Sequence, residues 1–363
     1  MSKCRNRTST KAVKVGNLTI GEYNEIVIQT MTTTKTSDVE KTVEQIKQLN
    51  NYGAQLVRVA VLDEADASAL AEIVKKTKTP IIADIHFNYQ FALRAIAAGV
   101  AKIRINPGNI GSKEQVLQIL QAANQKGTAI RIGINGGSLK IDPKGSRVIQ
   151  LVNCAYSWIK FFEKNGFYNL IVSIKDSDPS TTYFANVELA KHCKYPIHLG
   201  VTESGPDHAG IVKSCIALIP LLNMGIGNTI RISVNGDRKN EIKIAKTLLN
   251  NMGFNIPYYN IVACPLCGRN QYDTKRWVKE IDQYLEDKHL AIKVGIMGCI
   301  VNGPGEAQGC DIAICVKDKT TSFLYLNGTL NKEIPNTEVS KTLKELIDKK
   351  YNQAVKHYEK LNK

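Results

Sequence analysis

From about residue 25 to residue 250 one hydrophobic rhythm repeats along the chain. A short run rich in β-branched apolar residues is followed by a polar or glycine-containing turn, then by a segment with apolar positions at helical spacing. Eight runs read as strands: residues 26–29, 55–60, 81–85, 102–105, 129–134, 170–174, 197–201 and 229–234. Between them, residues 38–50 form an amphipathic helix with Ser37 as its N-cap candidate, and residues 65–76 form another. Eight βα units predict a closed (β/α)8 TIM-type barrel. An open doubly wound sheet would carry a Gly-rich phosphate turn after its first strand, and residues 29–36 contain no Gly.

The rhythm breaks at residues 250–257, where cysteine density rises. We therefore expect a barrel over residues 1–255 and a small α/β domain over residues 256–363. In the second domain, residues 291–296 and 311–316 read as strands, and 274–288 and 339–350 as helices. A chain of 363 residues, 43% hydrophobic and 22% charged, is long enough for two globular domains.

The first twelve residues are polar and basic, without the apolar core of a signal peptide, and no stretch reaches about 18 uncharged apolar residues. These features predict a cytoplasmic protein with no membrane partner. Nine cysteines, an odd number, fit free thiols and metal ligands better than a disulfide framework. The formal charge of +15 calls for an anionic partner. Lysine is abundant beside Asn and Ile, so part of that excess is solvated surface charge, and the arginines are more informative.

In a (β/α)8 barrel the site lies at the C-terminal ends of the strands. There the sequence places Arg58, Asp84, His86, Arg104, Asn106, Arg131, Asn135, Lys175, Glu203, Arg231 and Ser233. Five cations converging on one mouth repel unless an anion neutralises them, and guanidinium groups bind phosphate oxygens in bidentate fashion. A diphosphate fits. Alternatively, each Arg pairs with a carboxylate and props the barrel, but only Asp84 and Glu203 stand near in this reading. Glu203, a carboxylate among cations, is the acid or base candidate.

Cys264 and Cys267 form a C-x-x-C pair, and Cys299 supplies a third thiol. Zinc ribbons usually close with a second C-x-x-C, whereas the next cysteine here is Cys310. Three spaced thiols fit a 4Fe-4S cluster with its fourth iron weakly held or open, as chemistry at iron requires. The fourth ligand could be Glu306, Cys310 or substrate; the N-G-P-G segment before Glu306 reads as a flexible turn able to swing a carboxylate. A redox dithiol at the C-x-x-C pair is the competing reading. Cys4, Cys154, Cys193, Cys215 and Cys315 read as structural.

With both constellations in view, the chain resembles the 4-hydroxy-3-methylbut-2-enyl diphosphate synthase family of the non-mevalonate isoprenoid pathway. The resemblance spans nearly the whole chain. It rests on ADIHFN from Ala83, IRINPGN from Ile103, RIGINGGSL from Arg131, SIKDSD from Ser173, LGVTESG from Leu199, CPLCGR from Cys264 and MGCIVNGPGEA from Met297. It implies an iron-sulfur oxidoreductase that opens 2-C-methyl-D-erythritol 2,4-cyclodiphosphate reductively to the linear diphosphate and water, using two electrons. It implies Cys264, Cys267, Cys299 and Glu306 as cluster ligands. Arg58, Arg104, Arg131, Asn135, Lys175, Arg231 and Ser233 become substrate contacts, and Glu203 a proton donor. Because carboxylate is a poorer iron ligand than thiolate, substrate oxygen could displace Glu306.

Cys310 departs from the family pattern, where a small non-cysteine residue is usual, so a thiol could compete as ligand or invite oxidation. The plant-type domain inserted between barrel and cluster domain is absent, which implies the short bacterial type with flavodoxin or ferredoxin as electron donor. The last barrel helix should run back to the face opposite the arginines, and the connector of roughly ten residues reaches at most about 35 Å. A head-to-tail homodimer sharing its active site between chains is therefore expected. A nucleic-acid-binding zinc protein would explain the charge, but it needs interleaved aromatics, and only 7% of residues are aromatic. A pure electron carrier would leave the arginine ring without a role.

Overall fold

The computed structural model describes residues 10–22, 24–106, 109–139 and 142–361, with backbone only for residues 357–361. Cys4 and the Pro107–Gly108 step of the IRINPGN motif lie outside the described residues. The chain divides into two compact units, Met1–Phe254 and Asn255–Lys363.

The first unit opens with a hairpin, β1 (Val13–Val15) and β2 (Leu18–Ile20), paired antiparallel. The βα repeat follows: β3 (Val27–Met31), α1 (Val39–Asn51), β4 (Leu56–Val61), α2 (Glu64–Lys76), β5 (Ile81–Ile85), α3 (Tyr89–Ala97), β6 (Lys102–Ile105) and α4 (Lys113–Lys126). It continues through β7 (Ala129–Asn135), α5 (Arg147–Lys164), β8 (Leu170–Lys175), α6 (Pro179–Ala190), β9 (His198–Leu199), α7 (Asp207–Asn223), β10 (Thr229–Ile230) and α8 (Arg238–Asn251). The sheet order is β8-β7-β6-β5-β4-β3-β10-β9, and a parallel bridge from Val172 to Ile197 returns β8 to the segment entering β9. The expected (β/α)8 barrel is thus present. Its central strands are buried on both faces, as parallel strands covered by helices are.

At the N-terminal ends of the strands, Val27, Leu56, Ile82, Ala129 and Ile171 form an apolar layer, against which Val13, Val15 and Ile20 of the hairpin pack. The hairpin, unread in the sequence, plugs the end of the barrel opposite the polar mouth. Two boundaries differ from expectation. The N-cap of α1 is Asp38, whose side chain accepts from the Lys41 amide, while the Ser37 amide donates to Asp66 Oδ1 at 2.8 Å. The strand expected at 229–234 ends at Ile230, because the chain turns out to the mouth and Val234 N donates to Glu241 Oε1 at 3.4 Å instead of joining the ladder.

The second unit is a five-stranded sheet in the order β11 (Asn260–Ala263), β12 (Lys293–Met297), β13 (Ile312–Val316), β14 (Thr321–Leu326) and β15 (Thr329–Pro335). The first three strands are parallel and the last two antiparallel. Helices α9 (Thr274–Leu285) and α11 (Val339–Leu361) cover one face through Trp277, Ile281, Leu343 and Ile347, which pack on Val294, Ile296, Ile312 and Ile314. Strand alternation turns Met297, Ala313 and Cys315 to the other face, where they meet Ala307 of the short helix α10 (Gly303–Ala307).

Candidate active site

Two constellations stand at strand C-termini, one in each unit. In the barrel, a cavity of about 290 Å³ is lined by Arg58, Asp84, His86, Arg104, Arg131, Asn135, Lys175, Thr202, Glu203, Arg231 and Ser233. Every barrel residue singled out from sequence lines it except Asn106, whose Nδ2 donates to Ser138 Oγ at 2.8 Å and so ties the loops after β6 and β7 together. Thr202 was not anticipated; its signal was only its place before Glu203.

Asp84 sits between the cations. Its carboxylate lies 3.7 Å from Arg58 Nε, 3.3 Å from Arg104 Nη1 and 3.4 Å from His86 Nε2. Burial alone would raise its pKa, but Arg58, the His86 hydrogen bond and Arg104 outweigh burial and hold it far below the carboxylate range. Two glycines make room for the long cations. A Cβ at Gly133 would lie 2.5 Å from Arg104 Nε, and one at Gly200 would lie 2.7 Å from both Lys175 Nζ and the Arg231 carbonyl oxygen. Glu203 is exposed at the rim in a left-handed conformation, φ 44°. A non-glycine residue there costs on the order of 1 kcal/mol, the kind of strain that accumulates at functional positions.

The acids differ from expectation. Glu241, from the first turn of α8, is the buried partner of Arg231, at 3.4 Å, and also of Arg238. Its signal in the sequence was a first-turn carboxylate just after the arginine-bearing strand. The balance still leaves cations in excess. Among the described residues Arg131 and Lys175 have no carboxylate within ion-pair distance, Asp84 acting on Arg131 only from farther off, and Arg131 Nη1 donates to Ser173 Oγ at 2.6 Å. Burial, reinforced by Arg58 and Arg104, pushes the Arg131 pKa down; burial followed by Arg131 does the same to Lys175. This is a pocket built for a multiply charged anion.

In the second unit, a cavity of about 310 Å³ is lined by Cys264, Cys267, Cys299 and Glu306 together with Arg269 and Asn270. Cys264 and Cys267 leave the end of β11 and Cys299 follows β12. The Gly298 amide donates to Cys264 Sγ at 3.2 Å, and a Cβ at Gly298 would lie 1.9 Å from Asn270 Oδ1, so a side chain there would push Asn270 from its place beside the thiol. Amide hydrogen bonds from Val301 onward, then Arg269, lower the Cys299 thiol's pKa. Among the described residues no three His, Cys, Asp or Glu side chains gather tightly enough to hold a single metal ion. Three thiols and a carboxylate spread around one cavity, with an amide aimed at sulfur, fit a multi-iron cluster whose ligands bind separate irons.

Two sequence expectations change here. The N-G-P-G segment is not a flexible turn: Gly303–Ala307 is helical, with Asn302 at its N-terminal boundary and the Glu306 amide bonded to the Asn302 carbonyl at 3.1 Å. Cys310 does not line the cavity. It is buried beside Met297, Ala307 and Cys315, and its Sγ approaches the Glu306 carbonyl at 3.4 Å, placing it behind the helix that carries Glu306. Cys154, Cys193 and Cys215 are unpaired thiols in the barrel unit, and Cys315, also unpaired, packs behind the cavity wall beside Met297 and Gly303 without lining it. Among the described residues no helix is long and apolar enough to cross a membrane.

Residues 10–246 match the GcpE TIM-barrel domain and residues 260–349 the GcpE protein C-terminal domain. The chain belongs to the GcpE family. A GcpE relative from Malacoplasma penetrans is 45% identical over 350 residues, covering 96% of each chain. Another from Bacillus pumilus is 45% identical over 365 residues, 99% of this chain and 98% of its own. Both are named 4-hydroxy-3-methylbut-2-en-1-yl diphosphate synthase (flavodoxin). A solved dihydropteroate synthase from Stenotrophomonas maltophilia aligns with a TM-score of 0.49 at 14% identity, over 66% of this chain and 98% of its own.

Proposed function

We propose that this GcpE protein reductively opens 2-C-methyl-D-erythritol 2,4-cyclodiphosphate to (E)-4-hydroxy-3-methylbut-2-enyl diphosphate. One ring C–O bond breaks, one hydroxyl leaves as water, and two electrons and two protons are consumed. The carrying observation is that one chain holds both a cation-rich anion pocket at a barrel mouth and a three-thiol, one-carboxylate cavity. Neither a carrier nor a nucleic-acid-binding protein needs both.

Arg58, Arg104, Arg131, Lys175 and Arg231 bind the two phosphoryl groups, and Asn135 and Ser233 orient the remaining polar edges. Asp84 and Glu241 hold Arg58, Arg104 and Arg231 in place, so their geometry precedes binding. Arg131 and Lys175, without such partners, give the anion its strongest attraction. Glu203 reaches over the rim and transfers a proton to the departing oxygen. Cys264, Cys267, Cys299 and Glu306 would hold a 4Fe-4S cluster, which when bound would supply one-electron redox chemistry. The relatives' name supports flavodoxin as donor. Helix α8 runs back from the mouth and ends at Asn251, and β11 begins at Asn260, so the short connector supports a head-to-tail homodimer with shared sites.

The test is anaerobic purification followed by iron, sulfide and zinc analysis, with EPR of the reduced protein before and after the cyclic diphosphate is added. About four irons and four sulfides per chain, with a spectrum altered by the diphosphate, is the expected result. Stoichiometric zinc without sulfide would overturn the reading.

A further inference from the structure

Beneath the cation ring lies a second polar layer that anchoring a diphosphate does not require. Strand alternation puts Lys102 on the same face of β6 as Arg104, one layer deeper. His198 holds the corresponding place before Gly200 on β9, and Gln29 the place before Met31 on β3. Lys102 and His198 are 0% exposed and Gln29 is 2% exposed. This depth of a barrel is ordinarily filled by branched aliphatic side chains.

Here it is polar and without compensating acids. Among the described residues, Lys102 Nζ, His198 Nε2 and both polar atoms of the Gln29 side chain have no hydrogen-bond partner. His198 Nδ1 is 2.7 Å from Thr229 Oγ1. The charges facing the layer are Arg58 from β4, Arg104 from β6, Arg131 from β7, Lys175 from β8 and Arg231 beyond β10, against Asp84 from β5 and Glu241 from α8, each already paired with arginine, and the titratable His86 beyond β5 lies against Asp84 and Arg104 in the same ring.

We propose that Lys102 and His198 take up protons from solvent when a diphosphate fills the ring above them, completing the neutralisation of the anion. The inference rests on reading the ring as a diphosphate site. Guanidinium groups keep their protons under mutual repulsion, whereas an ammonium or an imidazolium gives its proton up. Burial first, then Arg131 and Arg58, lowers the Lys102 pKa; burial, then Lys175 and Arg131, lowers that of His198. An anion in the ring reverses the local field and raises both. Binding is then coupled to proton uptake, and affinity falls as pH rises through the values of the complex.

The experiment is calorimetric titration of the full-length protein with 2-C-methyl-D-erythritol 2,4-cyclodiphosphate, without reductant, in two buffers of matched pH near neutrality but different ionisation enthalpies. Each phosphoryl group of this ligand bears a single strongly acidic hydroxyl, so the ligand does not titrate near neutrality and exchanged protons belong to the protein. Net uptake of about one proton per site is expected, reduced by roughly half in Lys102→Met and in His198→Gln. Binding without uptake, or uptake unchanged in both variants, overturns the inference, the latter locating the proton on another group of the pocket such as His86 or Lys175. No binding at all overturns the diphosphate reading with it. Thermal melts check that each variant folds, and the unsubstituted protein alone decides whether uptake occurs.

Discussion

Arg131 is fully buried, and its Nε and Nη2 have no acceptor among the described residues. Removing a buried cation that lacks a carboxylate relieves repulsion, while removing a bidentate phosphate donor costs about 1.5–3 kcal/mol of binding. Arg131→Met should therefore raise the Tm by about 2–4 °C and weaken the cyclic diphosphate about 10- to 100-fold. Melting without ligand, paired with calorimetric titration, checks both; a lower Tm would contradict the account of the ring. Asp84 is the opposite case. Asp84→Asn leaves Arg58 and Arg104 without their shared carboxylate and should destabilise by about 3 kcal/mol at neutral pH. The Asp84 pKa is depressed, so its contribution is present above its ordinary value of 3.8 and is lost only as pH falls through the lower folded value. Urea unfolding of both proteins should give a constant gap from neutrality down to about pH 4. A gap that closes near neutrality would assign the charge balance to another residue.

Strand ends and helix starts set where these side chains stand. β9 has only two residues, and Gly200 beyond it permits the close approach of Lys175 Nζ and the Arg231 carbonyl. Gly200→Ala places a methyl 2.7 Å from each, one of them backbone, so it should displace Lys175 and weaken diphosphate binding about tenfold with little loss of helical content. Calorimetry with circular dichroism separates that outcome from unfolding. At the start of α1 the structure separates two adjacent candidates. Asp38→Ala removes the side chain that caps Lys41 N and should cost about 1 kcal/mol, whereas Ser37→Ala, which keeps the amide bonded to Asp66, should cost a few tenths at most. Equal effects in denaturant titrations would undo the assignment.

Across the whole molecule, the barrel mouth and the thiol cavity belong to different compact units of the chain. In a head-to-tail dimer, a mixture of Arg131→Met and Cys299→Ala proteins should regain activity. Random exchange makes half the dimers mixed, each with one intact site, so recovery should approach about a quarter of the unsubstituted activity. Turnover after co-incubation measures it, and no recovery would place both halves of each site in one chain.

Periodicity alone determined the (β/α)8 barrel, because parallel strands buried on both faces are largely apolar and their covering helices amphipathic. Spacing alone brought forward the barrel-mouth cations and the three thiols, because strand C-termini and a C-x-x-C loop are local features. Glu241, the displacement of Asn106 from the cavity and the seclusion of Cys310 were decided only in the tertiary structure. Each depends on which side chain of a distant element reaches a given atom, as when Glu241 of α8 meets Arg231 or Cys310 turns behind Glu306. Lys102 shows the division most clearly. Its place on a strand was legible, and alternation from Arg104 puts it on the inner face, but only closure of the sheet seals its amine, fully buried, beneath a ring of arginines.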